Sequence, residues 1–256
     1  MPLNLYGGTP YWHWIPTPDT PALLFDIETN GLLKQTTTIH CLCAKDFLTG
    51  KSFSFGPNQI EEGLKLLATA PLLVAHNGLC FDVPALQKLR PALSLPRLFD
   101  TLTASRLIWT DLTGDDFKLR RSLQKRGGDF PNSLMGKHKL EAWGYRLGCY
   151  KGDYGKQESA WDRWTPEMQT YCEQDVEVLE KLYRHILKQA YSPEALALEH
   201  EFQQVIHRQE QTGVPFNVPA ANVLYAELAG KREALKQQLD DVFPPKRIEE
   251  VFIPKA

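Results

Sequence analysis

The sequence predicts an α/β fold: a mixed sheet flanked by helices, with a helical appendage at the C-terminal end. Two observations lead there. Between residues 22 and 190, short apolar runs bounded by polar residues and glycines alternate with amphipathic helical stretches, as layered strands and helices do. From residue 191 to 256 no strand-like run returns.

Residues 1–20 are rich in Pro, Gly and aromatics and read as an irregular arm. Leu23-Leu24-Phe25 is a short continuous apolar run, as a buried strand is. Thr36–Ala44 and Ser52–Phe55 read as the next two strands, with a turn near Thr49-Gly50. Asn58-Gln59-Ile60-Glu61 has the pattern of a capping box and predicts a helix to about Ala70. Leu72–Ala75 is another buried strand, Val83–Leu89 a short helix, Arg97–Asp100 a last short strand and Leu102–Trp109 a helix.

Residues 111–136 are polar and turn-rich, with Lys118, Arg120, Arg121, Lys125 and Arg126 clustered. They read as a mobile loop, either solvated or in contact with a phosphate backbone. Lys139–Leu147 is helical and ends on Gly148. Thr165 and Pro166 suit the N-cap and first position of a long helix to about Ala190. Two further helical stretches, about 194–211 and 219–240, are split by Thr212-Gly213-Val214-Pro215. The expected organisation is an arm over 1–20, an α/β domain over 21–190 and a helical segment over 191–256.

Composition narrows the function classes. A chain of 256 residues, 43% hydrophobic and 23% charged, can bury a sizeable core. No apolar run approaches the ~20 residues that span a bilayer. The N-terminus lacks a basic stretch followed by an apolar one, so no signal peptide is read and a cytoplasmic location is expected. Five cysteines, with no C-x-x-C pair, argue against a zinc module or disulfide framework and for reduced thiols. Cys41 and Cys43 stand two apart in a strand-like run, share a face, and read as core packing. The net charge of −2 does not suit a grip along duplex DNA, so any nucleic-acid contact is local.

The acidic residues carry the chemistry. Asp26 and Glu28 end the first strand and, two apart, point to the same side. Left alone they repel; a divalent cation relieves this, because hard cations take oxygen ligands. Asp82 follows a buried strand and the run His76-Asn77-Gly78-Leu79-Cys80-Phe81, where it either caps a helix or adds a third carboxylate to the rim. Tyr171 and Asp175 are spaced i, i+4 on a predicted helix and share one face. Four acids at element ends or on a helix face suit two bound ions and hydrolysis of a phosphodiester by in-line displacement.

Asp26-Ile27-Glu28, Asn77-x-x-x-Phe81-Asp82 and Tyr171-x-x-x-Asp175 resemble, in order and spacing, the three exonuclease motifs of the DEDD superfamily, tyrosine subgroup. AHNGLCFDVPAL, RLFDTLTASRLI, KLEAWGYRLG and YCEQDVEV are similar to the exonuclease domain of phage-type family A DNA polymerases. The resemblance covers about residues 22–190, and residues 199–242 resemble the start of the polymerase thumb. No stretch resembles the palm or fingers.

The resemblance implies an RNase H-like fold with a mixed five-stranded sheet, and 3′→5′ hydrolysis of single-stranded DNA ends using two Mg²⁺ or Mn²⁺ ions. It implies Asp26, Glu28, Asp82 and Asp175 as metal ligands, and Tyr171 as the residue orienting the attacking water. It places Leu32 as a wedge beside the terminal base, Asn77 and Phe81 along the terminal nucleotide, and His138 near a phosphate. It also implies polymerase domains, on a partner chain or on a longer version of this one. A free-standing DNA or RNA trimming nuclease and a non-catalytic polymerase-docking module are the alternatives.

Overall fold

The computed structural model describes residues 21–149, 154–156 and 160–244; the predicted N-terminal arm lies outside them. Five strands form one mixed sheet: β1 (Ala22–Thr29), β2 (Ile39–Asp46), β3 (Ser52–Phe55), β4 (Leu72–Ala75) and β5 (Leu98–Asp100). Their spatial order is β3-β2-β1-β4-β5. β1, β2 and β3 pair antiparallel in succession, whereas β4 runs parallel to both β1 and β5. The helices are α1 (Ile60–Thr69), α2 (Asp82–Leu89), α3 (Thr101–Ile108), α4 (Thr113–Gln124), α5 (Leu140–Arg146), α6 (Pro166–Leu187), α7 (Pro193–Thr212) and α8 (Val218–Val242).

The apolar strands are buried on both faces, and the period of two divides their side chains between two cores. Leu23, Phe25 and Ile27 join Leu42, Ala44, Leu64 and Leu67 in one, with Ala85 and Leu86 of α2. Ala22 and Leu24 join Cys41, Cys43 and Val74 in the other, against Met168, Cys172, Val176 and Leu179 of α6. The even-numbered face of β1 is therefore the α6 face, and Asp26 and Glu28 continue it to the end of the strand.

Two local expectations resolve differently in three dimensions. The capping box is not formed: Pro57–Gln59 make a 3₁₀ turn, and Gln59 caps α1 with no side-chain hydrogen bond. Residues 111–136 are not a loop, because α4 occupies their first half. Phe130, Leu134 and Ala142 form a small core of their own, with Leu119 and Leu123 packed on it. The predicted cap of α6 is present, with Met168 N–H donating to Thr165 Oγ1 at 3.1 Å.

The chain divides into two compact units, residues 1–211 and 212–256. Within the first, α7 buries Leu196, Ala197 and His200. In the second, α8 buries no residue.

Candidate active site

β1 outruns its neighbour. It pairs with β4 only over Ala22–Leu24, so beyond Leu24 that edge of the strand is open. The chain leaving β4 fills the gap. Asn77 takes a left-handed conformation with φ of 67°, which an Asn tolerates better than most residues. Gly78 follows with no room for a side chain: a Cβ there would lie 2.6 Å from the Ala75 Cβ. The turn delivers Asp82 to the start of α2, where Phe81 takes the N-cap position. The Asp82 carboxylate accepts hydrogen bonds from its own N–H and from Ile27 N–H, the residue between Asp26 and Glu28.

The third element is α6, whose long amphipathic face lies on β1 and β2. Cys172 and Asp175, three apart, share that face. Cys172 Sγ donates to the Asp26 backbone oxygen at 3.4 Å and meets Asp26 Oδ2 at 3.7 Å. Asp175 is buried and close enough to Asp82 for its charge to be felt there. Strand end, turn and helix thus set Asp82 against the backbone between Asp26 and Glu28, with Asp175 near Asp82.

Electrostatics reflect the crowding. Asp82 is 3% exposed, and its pKa is pushed up to about 7, first by burial and then by the negative charges of Asp100 and Asp175. The two N–H donors oppose the rise but do not overcome desolvation. Asp26, Glu28 and Cys172 each offer a ligand atom, all within 4.8 Å of one another. These are acceptable donors for a divalent ion, the carboxylates for a hard one.

Tyr171 lies one turn before Asp175 with its ring in an aromatic cluster, 5.6 Å from Tyr154 and 6.0 Å from Trp161 between centroids. Leu32 is 75% exposed. Phe81 is half-buried. His138 is held against α3, with Nδ1 3.1 Å from Ser105 Oγ and its ring tilted on Trp143. Burial, then Arg146 and Arg106, lower its pKa, and among the described residues no hydrogen bond or ion pair ties it to the acids.

Sequence reasoning passed over Asp100, the last residue of β5. Its carboxylate accepts from Asn77 N–H and Leu79 N–H, both at 3.0 Å, and from Leu102 and Thr103 N–H at the start of α3. One buried side chain caps a helix and fixes the turn that carries Asp82. The signal was present: an Asp directly before a helix whose apolar period starts at Leu102 is an N-cap. His200 of α7 supports it from behind, Nε2 accepting from Asp100 N–H at 2.8 Å.

The mixed five-stranded sheet carries its acid cluster at one end, and residues 23–120 match the RNase H superfamily. Over 265 aligned residues the chain is 34% identical to the DNA-directed DNA polymerase of Escherichia phage T7, and equally to that of Enterobacteria phage T3. Each alignment covers 86% of this chain and 37% of the polymerase, so the chain spans little more than a third of these relatives. Among solved structures, NrnC of Brucella melitensis superposes with a TM-score of 0.48 at 19% identity, covering 78% of this chain and 90% of that one. Among the described residues, no helix is long and apolar enough to cross a membrane.

Proposed function

We propose that the chain removes nucleotides one at a time from the 3′ ends of single-stranded DNA, as the proofreading domain of a phage-type DNA polymerase. What supports the reading is Asp26 and Glu28 at the open end of β1, with Asp82 bonded to Ile27 N–H between them and Asp175 near Asp82. Acids crowded in this way, with the Asp82 pKa pushed up to about 7, form a poor resting arrangement and a good cradle for cations.

Asp26, Glu28 and Asp175 are assigned to one ion and Asp26 with Asp82 to a second, as Mg²⁺ or Mn²⁺. Divalent ions bound there would supply an activated water and charge stabilisation for the departing 3′ oxygen. The protein does the positioning. Tyr171, protonated at neutral pH, donates or accepts a hydrogen bond that aims the attacking water, with its ring steadied by Tyr154 and Trp161. Phe81 and Asn77 line the terminal nucleotide, where stacking accepts any base. Leu32 wedges beside that base, and its exposure suits the task. His138 is assigned to a phosphate further along the strand.

Function is proposed to divide at residue 190. The motifs precede it, and residues 191–256 connect to polymerase domains, on a partner chain or beyond this segment. Support comes from α8, where Val223, Leu224, Tyr225, Leu228, Leu235 and Leu239 are all exposed, more apolar surface than an isolated helix usually leaves in water.

A 5′-labelled single strand incubated with Mg²⁺ should shorten from its 3′ end in single-nucleotide steps, and EDTA should stop it. Asp26→Ala should abolish shortening while the metal-free protein melts no lower, since removing one rim carboxylate relieves repulsion. No shortening with either Mg²⁺ or Mn²⁺ at high enzyme would overturn the proposal.

A further inference from the structure

The loop between β1 and β2 carries Leu32, the residue assigned to the terminal base. An exposed apolar side chain presses well on a base only if the backbone beneath it stays put, because freedom that the loop keeps must be given up on binding. This loop is tied at two levels. At its base, Asn30 Oδ1 accepts from Thr37 N–H at 2.9 Å and from Thr38 N–H at 3.0 Å. Within it, Leu32 O accepts from Gln35 N–H and Thr36 N–H, both at 2.8 Å, which closes a tight turn.

A further tie comes from outside the loop. Lys88, in the last turn of α2, donates from Nζ to Leu33 O, Lys34 O and Thr36 O, each at 2.9 Å. An ammonium has three protons, so these carbonyls use its whole donor capacity and leave none for a phosphate. Its part in the domain is therefore to hold backbone, not to bind the strand. Leu33, next to the wedge, packs on the core that includes Ala85 and Leu86 of α2, so the loop meets that helix through both a polar and an apolar contact.

We propose that Lys88 is a positioning residue for Leu32: it locks the β1–β2 loop to α2 and so sets how well the site opens a base-paired 3′ end. The proposal rests on the exonuclease reading and deepens it. α2 runs from Asp82 to Leu89, so one helix holds both a proposed metal ligand and the tie on the wedge. A single strand already has an unpaired terminus. A paired one must fray before its last nucleotide enters a single-strand site, and a fixed side chain beside the freed base favours the open form. Loosening the loop therefore costs more on paired ends than on single strands.

The test uses the full chain with Mg²⁺ and two 5′-labelled substrates of the same terminal sequence, one single-stranded and one fully paired. The quantity read is the ratio of shortening rates, paired over single-stranded. Lys88→Met keeps the apolar stem and deletes the donors. Its ratio should fall roughly tenfold, the scale of one lost contact to a base, and Leu32→Ala should lower the ratio by a similar factor. The double variant should fall no further than either alone, because the two side chains act as a unit. Hydrogen exchange gives a readout that needs no substrate: the Gln35 and Thr36 amides should exchange faster in Lys88→Met, with the α2 amides unchanged. An unchanged ratio in Lys88→Met, losses that multiply in the double variant, or unaltered loop exchange would each overturn the proposal and leave the exonuclease reading in place. So would an unchanged ratio in Leu32→Ala, or paired ends left intact by the parent chain. If the parent shortens neither substrate with Mg²⁺ or Mn²⁺, the exonuclease reading falls and the proposal falls with it.

Discussion

At the scale of single residues, the most informative group is Asp82. Its carboxyl is pushed up to about 7 in the fold, by burial first and neighbouring acids second, from an ordinary value near 4. Between about pH 4 and pH 7 the folded metal-free protein holds a proton there that the unfolded chain has already released. Stability therefore falls as pH rises through that window, the reverse of a salt-bridged aspartate. Asp82→Asn removes the ionisation and keeps an oxygen for Ile27 N–H. The metal-free variant should melt roughly 5 °C or more above the parent at about pH 8, and the two should converge near pH 4. Calorimetry across that range checks it; parallel curves would place the strain elsewhere.

Tyr171 poses a different question at the same scale, because packing and chemistry both claim it. Tyr171→Phe keeps the ring against Tyr154 and Trp161 and deletes only the hydroxyl. The expected loss is in turnover, roughly 10²-fold or less, with melting temperature and Mn²⁺ affinity unchanged. Unchanged turnover would leave the residue a packing role alone.

At the scale of elements, legibility followed the hydrophobic signal. Ser52–Phe55 and Leu72–Ala75 are observed with the bounds their apolar runs predict. The proposed ligands Asp26, Glu28, Asp82 and Asp175 stand out in the sequence only as a set, through strand ends, i, i+4 spacing and the resemblance of their motifs. α4 left no such mark. Its one buried residue is an acid, Asp116, so hydrophobic periodicity is silent there. The order comes from a partner 30 residues away: Arg146 of α5 donates to both Asp116 oxygens at 2.8 Å, and Gly136 N–H donates to Oδ2 as well. Asp116→Ala should destabilise by about 3–5 kcal/mol, because it strands a buried guanidinium, whereas Asp116→Asn should cost less. Exchange of the α4 amides should rise in both before global unfolding. An unaffected melting temperature in Asp116→Ala would mean that α4 is an accessory hung on the domain.

At the scale of the whole molecule, the boundary that folding respects need not be the one that function suggests. Every proposed catalytic acid precedes residue 176, and the helical segment was expected to begin at 191. Yet Leu196 and Ala197 are buried in the α6-side core, and His200, fully buried, stacks tilted on Phe99 at 5.0 Å and accepts from Asp100 N–H. Asp100 in turn fixes the turn that carries Asp82. Ending the chain at 190 would expose Phe99 and leave the Asp100 N–H without its acceptor. Apolar burial of about 2 kcal/mol for a leucine and 1–3 kcal/mol for an orphaned buried donor put the loss on the order of 4 kcal/mol. A chain of residues 1–211 keeps all of these contacts. It should melt with the full chain and shorten single strands at the same rate, while a chain of residues 1–190 should melt well below both and lose activity in proportion to its unfolded fraction. Thermal unfolding followed by circular dichroism, with shortening assayed below each transition, separates stability from chemistry. If the shorter chain proves as stable as the longer, α7 belongs with the appendage, and His200 has no hand in holding the Asp82 turn.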